Sequence, residues 1–91
     1  MTVLHEKTVE IKNLRGLHAR AAAKFVKLVE LLDADVTVIK DDMEVAGSSI
    51  MGLLMLSASM NTQVRIVVKG QGAAEALQQL VGLIERRFDE E

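Results

Sequence analysis

The spacing of apolar residues changes repeatedly along this chain, and that succession constrains the fold more than any other feature. Residues 8–11 alternate polar and apolar side chains, as a half-buried strand does, and Val3 extends the same phase. The period then lengthens to three and four residues, which predicts a helix that begins at residue 19 and ends within residues 33–35. The apolar face of this helix is predicted to comprise Ala19, Ala22, Ala23, Val26 and Val29.

The rest of the chain continues the succession of strands and helices. The predicted segments are strands at 36–39, 44–46 and 64–68, a short helix that Ser48 or Ser49 caps and that runs to Met55, and a long helix at 73–88. A four-stranded sheet with all helices on one face is the simplest arrangement that buries every apolar face. The sequence therefore predicts an α+β fold of order βαββαβα, in one domain that spans residues 1–91.

The composition excludes several classes of protein. Hydrophobic residues make up 49% of the chain, so we expect it to fold rather than remain disordered. A net charge of −2 and the lack of a basic run argue against a nucleic-acid partner. There is no cysteine, which excludes disulfide bonds and thiolate ligands, and the two histidines are far apart without a local cluster of carboxylates. We therefore expect neither a metal nor a cofactor.

The two ends of the sequence lead to separate expectations. No segment approaches the roughly 20 apolar residues of a membrane span, and residues 1–7 lack the pattern of a secretory signal. We therefore expect a cytoplasmic protein that does not insert into membranes.

At the C-terminal end, Arg86 and Arg87 suit the dipole at the end of the last helix, but the acidic residues 89–91 do not. These acidic residues are expected to fray into solvent.

The segment 16–20, Gly-Leu-His-Ala-Arg, places a histidine at the start of the first predicted helix. Backbone N–H groups at a helix N-terminus lack partners within the helix, and the dipole adds partial positive charge, so this position favours an anion. The imidazole of His18 could hold a phosphoryl group covalently, and Arg20 would supply a charged donor to phosphate oxygens. The plainer alternative is that His18 is only a polar residue near a helix cap.

Two motifs together resemble a known family. Residues 16–22 and, further along the chain, residues 49–52 (Ser-Ile-Met-Gly) closely resemble HPr, the histidine-containing phosphocarrier family of the bacterial phosphoenolpyruvate-dependent phosphotransferase system. The resemblance covers nearly the whole chain. It implies an open-faced β-sandwich, in which an antiparallel four-stranded sheet carries three helices on one side.

The resemblance also implies roles for individual residues. His18 would be phosphorylated on Nδ1 by phospho-enzyme I and would pass the group to a IIA domain, for sugar uptake and its regulation. Arg20 would assist the transfer, and Ser49 would be a regulatory site for an HPr kinase/phosphorylase as well as a helix cap. On this interpretation the protein is a covalent carrier, not a stand-alone enzyme, and it shuttles as a monomer.

Two positions depart from the family pattern. Ala21 stands where the family usually has proline. Alanine forms helices well, so we expect the helix to persist, but alanine leaves φ free and the loop that carries His18 loses rigidity. Asn61 stands where the family often has glycine, and asparagine tolerates positive φ, so the turn is expected to be kept.

A docking surface is expected beside His18. A short helix cannot bury every side chain, and an exposed methionine is an adaptable contact surface for several partners. The residues predicted to contact partners are Ile50, Met51, Leu54, Lys24 and Lys27. The alternative is that the methionine-rich face of the short helix belongs to the core.

Other functions stay open at this point. The run 53–56 and the tail 88–90 are similar to NPr, the nitrogen-related paralogue, whereas residues 49–52 are closer to kinase-regulated HPr. A non-catalytic regulatory module controlled by Ser49 is a further alternative, although relatives of that kind usually lack the active histidine. An independent enzyme is disfavoured, because no nucleophile-base set, metal cluster or pair of buried carboxylates can be identified.

Overall fold

A computed structural model describes residues 4–90, so Val3 and Glu91 lie outside the described residues. The strands and helices follow in the predicted order: β1 (Leu4–Glu10), α1 (Ala19–Leu32), β2 (Asp35–Lys40), β3 (Met43–Ala46), α2 (Ile50–Met55), β4 (Gln63–Lys69) and α3 (Ala73–Glu85). Within the described residues, no helix combines the length and the apolar character needed to cross a membrane.

The four strands form one antiparallel sheet in the order β1-β4-β2-β3. The last strand in sequence, β4, therefore lies between β1 and β2. Alternate residues of β4 are buried, namely Val64, Ile66 and Val68, and they share one core with residues of all three helices. The helices cover one face of the sheet and leave the other open, which confirms the predicted open-faced β-sandwich.

The buried face of α1 differs from the predicted one. Phe25 is 2% exposed, and Ala21 and Val29, four residues before and after it, are buried on the same face. Ala19 and Ala23 are exposed, so the prediction was wrong for them. The physical reason is that burial of a phenylalanine removes far more apolar area from water than burial of two alanines, so Phe25 sets the rotation of the helix.

The helix α3 ends at Glu85, earlier than predicted, and the chain then forms a left-handed turn. The φ angles of Arg87, Phe88 and Asp89 are 60°, 55° and 60°. This turn inserts the Phe88 side chain fully into the core. A left-handed residue costs about 1–2 kcal/mol, and burying a phenylalanine contributes about 1.5–3 kcal/mol, so further contacts must help to hold the turn.

Polar contacts supply that help. We call residues 86–90 the C-terminal strap. The Lys24 ammonium donates a hydrogen bond to the carbonyl oxygen of Phe88 at 2.7 Å, and Nε of Arg86 donates to Asp89 at 3.0 Å. The hydrogen bond from Arg86 also keeps the pKa of Asp89 below its usual value. The expectation that the acidic tail frays is therefore wrong for Asp89 and for Glu90, whose contacts are described below.

Candidate functional site

A close backbone contact directs the chain into α1. Gly16 has a φ of +67°, and a Cβ at this position would lie 2.5 Å from the carbonyl oxygen of Ala58 and 2.9 Å from Cα of Ser59. The next residue, Leu17, donates its N–H to the same Ala58 carbonyl at 2.8 Å. Only glycine satisfies both the positive φ and the close approach. This contact places His18 at the first position before the helix.

His18 is the N-cap residue of α1, but its side chain does not cap the helix. Its backbone is extended, with φ −82° and ψ −179°, and its carbonyl accepts the N–H of Ala22 at 2.8 Å. Within residues 4–90, the N–H groups of residues 19–21 have no backbone acceptor and no side-chain cap. The start of α1 therefore keeps the unpaired donors that an anion can use.

The imidazole of His18 is held on one side by a carboxylate from the far end of the chain. Nε2 lies 2.8 Å from Oε2 and 3.1 Å from Oε1 of Glu90, and the two side chains are 15% and 17% exposed. An ionised carboxylate can only accept hydrogen bonds, so Nε2 must carry the proton. In the neutral ring, Nδ1 then has the free lone pair and is the nucleophilic nitrogen.

Asn13 holds this carboxylate in place. Its side chain is fully buried, and Nδ2 donates to Oε1 of Glu90 at 2.8 Å and to the carbonyl of Gly16 at 2.7 Å. Burial acts to raise the pKa of Glu90, but the hydrogen bonds from Asn13 and His18, together with the charges of His18 and Arg15, bring the pKa below its usual value. Glu90 is therefore ionised at neutral pH.

Two arginines occupy this region. Arg20 is in the first turn of α1 and is exposed; within the described part of the chain its guanidinium makes no hydrogen bond or ion pair. Arg15, His18 and the segment 57–59 line a shallow depression with Leu17. The exposed Arg20 guanidinium is thus free to bind an anion near the helix start.

Ser49, rather than Ser48, caps α2. Its Oγ accepts the N–H of Gly52 at 2.9 Å, and its backbone is extended. The residue is only half-buried. The cap therefore has a structural role, and the residue as a whole remains partly accessible.

The predicted docking residues differ in their availability. Ile50 and Met51 are 40% and 71% exposed, and Lys27 is exposed as well. Leu54 is half-buried against the core, and Lys24 is half-buried with its ammonium engaged by the strap. An exposed apolar patch on α2 is thus present, next to α1.

Asn13 and Glu90 are the site residues that the sequence interpretation missed. Asn13 was not among the predicted site residues, and Glu90 was expected to lie in solvent. Phe88 is the residue in the sequence that could have indicated that Glu90 is held against the protein. A large apolar side chain favours burial, so Phe88 anchors the chain to the core two positions before Glu90. Within residues 4–90, no group of three or more His, Asp or Glu side chains could hold a metal ion.

Comparisons with known proteins agree with this geometry. Residues 5–86 match the family model described as the PTS HPr component phosphorylation site. The chain is 39% identical over 85 residues to the phosphocarrier protein NPr of Shewanella violacea, covering 93% of each chain. It is 41% identical over 85 residues to the phosphocarrier protein HPr of Neisseria meningitidis, covering 93% of this chain and 96% of the relative.

Solved structures share the fold. The crystal structure of HPr-C-His from Thermoanaerobacter tengcongensis has a TM-score of 0.90 and 42% identity, and covers 96% of this chain and 98% of that chain. A dimer of HPr from the same organism has a TM-score of 0.75 and 42% identity, with 94% and 99% coverage. The chain therefore belongs to the HPr family of phosphotransferase-system phosphocarriers.

We predict that Gly16→Ala destabilises the protein, because the new methyl group meets the Ala58 carbonyl and the backbone has a positive φ. The expected loss exceeds about 1 kcal/mol in the free energy of unfolding by urea. Gly82→Ala is the matched control, since Gly82 is helical and its added Cβ meets only the mobile end of Arg86 at 3.3 Å. The control is expected to be neutral or to stabilise by up to about 1 kcal/mol. Equal stability of Gly16→Ala and wild type would contradict the close contact.

We also predict a pH-dependent contribution of Glu90 to stability. A carboxyl whose pKa is lower in the folded than in the unfolded protein stabilises the fold above the unfolded value, 4.5, and loses this effect as the pH falls through the folded value. Wild type should therefore be more stable than Glu90→Gln at pH 7, and the difference should shrink below about pH 4.5. Urea unfolding at several pH values measures it, with Glu85→Gln as an exposed control. A difference that does not change with pH would refute the prediction.

Proposed function

We propose that this protein accepts a phosphoryl group on Nδ1 of His18 from phospho-enzyme I and passes it to a histidine of a IIA domain. The observation that carries the proposal is the arrangement around His18. Its ring lies at an uncapped helix N-terminus, and its other nitrogen, Nε2, is bound by Glu90. Membership of the HPr family supports the same reaction.

The chemistry of the arrangement fits a carrier. Free amides at the start of α1 stabilise the negative charge of a phosphoryl group on the ring. The His18 side chain is 15% exposed. The ring can therefore contact the active site of a partner protein although most of its surface is covered. Most of the positioning for transfer would come from the partner protein.

Arg20 is proposed to stabilise the phosphoryl oxygens during transfer. Its guanidinium is exposed in the first turn of α1 and is not engaged elsewhere within the described residues. Charge spreads over the equatorial oxygens as the phosphoryl group moves, and a planar guanidinium is suited to bind them.

The docking surface is proposed to centre on Ile50 and Met51, with Leu54 contributing its accessible side and Lys24 and Lys27 at the rim. The exposure of Ile50 and Met51 supports this proposal. A flexible methionine on a short helix adapts to enzyme I and to IIA domains in turn.

The cellular role is proposed to be sugar uptake and its regulation. The nitrogen-related branch is the second candidate, because the tail 88–90 is similar to NPr and an NPr is among the similar relatives. We further propose that residues 1–91 act as one domain, as a monomer in the cytoplasm. Sedimentation near 10.0 kDa is the expected result for the monomer, and a dimer would contradict it.

We predict that incubation with enzyme I and phosphoenolpyruvate adds one acid-labile phosphoryl group to the wild type. His18→Ala should gain none, and His5→Gln, which changes the other histidine, should gain one as the wild type does. Intact-mass spectrometry measures the addition. Parallel rates with the enzyme I of the sugar branch and of the nitrogen branch identify the branch. Phosphorylation of His18→Ala would move the site elsewhere.

Ser49 is proposed to be a regulatory phosphorylation site for an HPr kinase/phosphorylase. Its position as a half-buried residue at the start of α2, beside the exposed Ile50, supports the proposal. Such a kinase with ATP should phosphorylate the wild type and Ser48→Ala but not Ser49→Ala. Phospho-Ser49 protein should then accept a phosphoryl group from enzyme I more slowly, because the new charge alters the docking surface. An unmodified wild type would refute the proposal.

A further inference from the structure

We propose that Arg15 binds an acidic side chain of the partner protein in the depression beside His18, and that it thereby helps to determine which partners dock. This inference rests on the proposed function, because it supplies a specificity-determining residue for the same transfer. Its basis is that the depression joins the His18 ring to an exposed arginine and to two exposed serines, Ser57 and Ser59.

A hydrogen-bonded turn presents Arg15 to solvent. The N–H of Gly16 donates to the carbonyl of Asn13 at 3.1 Å, and the Asn13 amide donates to the carbonyl of Gly16 at 2.7 Å. The close approach of Gly16 to the Ala58 carbonyl fixes this turn against the rest of the protein. Leu14 and Arg15 form the tip of the turn, and Leu14 is 67% exposed. Because the backbone is held before a partner arrives, docking orders only side chains and costs less entropy.

The segment after α2 forms another part of the depression. Ser57 has a φ of 51°, and this left-handed residue turns the chain at the end of α2. The chain then passes through the buried Ala58, whose carbonyl accepts the N–H of Leu17, to the exposed Ser59. The depression has a volume of about 220 Å³, and none of the described residues that line it is acidic. Its polar lining therefore suits an anionic group, because a guanidinium and two hydroxyl groups can all donate hydrogen bonds.

The guanidinium of Arg15 is available for such a contact. It makes no hydrogen bond or ion pair within residues 4–90. Its charge acts on Glu90, but that carboxylate is already hydrogen-bonded to Asn13 and to His18. The planar arrangement of its N–H donors matches the two oxygens of a carboxylate. Arg15 can therefore bind a carboxylate that a second protein brings to the depression.

The position of Arg15 favours a protein carboxylate over the phosphoryl group as its ligand. Arg15 is the arginine whose charge acts on Glu90, and Glu90 binds Nε2, so Arg15 lies towards that edge of the ring. The phosphoryl group would be on Nδ1, where Arg20 and the free amides of α1 provide donors. Arginine is also enriched at protein interfaces, and a partner with Asp or Glu at the matching position is favoured over one without it.

The experiment measures phosphorylation by enzyme I at a series of concentrations of wild type, Arg15→Gln and Lys7→Gln. Lys7→Gln is the matched control, because it also removes one positive charge from an exposed residue, but Lys7 lies on β1 beside α3. Each series is repeated at about 0.05 M and about 0.5 M NaCl, because salt screens exposed charges. Urea unfolding verifies that each variant is folded.

Arg15→Gln should raise the KM of enzyme I for this protein about fivefold and leave kcat unchanged, because the contact forms when the proteins dock. The difference should shrink at the higher salt concentration, and Lys7→Gln should match the wild type. An unchanged KM or an equal effect in Lys7→Gln would overturn the inference. A fall in kcat at constant KM would also overturn it, because it would assign Arg15 to the phosphoryl group instead.

A second measurement tests Arg15 without enzyme I. A short glutamate peptide, blocked at both ends, is added to ¹⁵N-labelled protein. It should shift the Nε–H resonance of Arg15 and the amide resonances of Ser57 and Ser59 in the wild type, and the serine shifts should be lost in Arg15→Gln. Shifts that are absent there, or that persist in Arg15→Gln, would contradict the inference. A wild type that enzyme I never phosphorylates would refute the proposed function, while the peptide titration would still test the depression.

Discussion

The contact of Gly16 with the backbone of Ala58 and Ser59 is the constraint on which the site depends. Because no side chain fits between these segments, the chain passes close to the loop before β4 and enters α1 in one direction. His18 then occupies the N-cap position, and its side chain makes no capping hydrogen bond to the helix amides. A helix end with unpaired donors and a ring nitrogen beside it is a suitable place for a phosphoryl group.

The site combines the two ends of the chain. The loop before α1 supplies His18 and Asn13, and the C-terminal strap supplies Glu90. The core makes this possible, because Phe88 is fully buried and anchors the strap against the same core that α1 covers. Stability and site geometry are thus coupled through one aromatic side chain. The exposed patch on α2 is separate from this coupling, since Ile50 and Met51 contribute little to the core.

The sequence predicted much of the fold because each strand and helix has its own hydrophobic period. The order βαββαβα, the cap at Ser49 and the positive φ of Asn61 all follow from local patterns or from properties of single residues, and the structure confirms them. The rotation of α1 was predicted less well. Several small alanines near its start gave two overlapping apolar faces, and packing around Phe25 selected between them.

The sequence by itself determined the strands, the helices and the histidine at a helix start, because hydrophobic periodicity, glycine and capping residues act over a few neighbouring positions. Only the tertiary structure decided that β4 pairs between β1 and β2, that α3 stops at Glu85, and that Glu90 binds His18. These depend on contacts between residues far apart in sequence. The acidic tail illustrates the reason. Its local sequence predicts that Asp89 and Glu90 lie in solvent, because their negative charges oppose the helix dipole. Burial of Phe88 and the hydrogen bond from the Asn13 amide instead bring the tail onto the imidazole ring of His18.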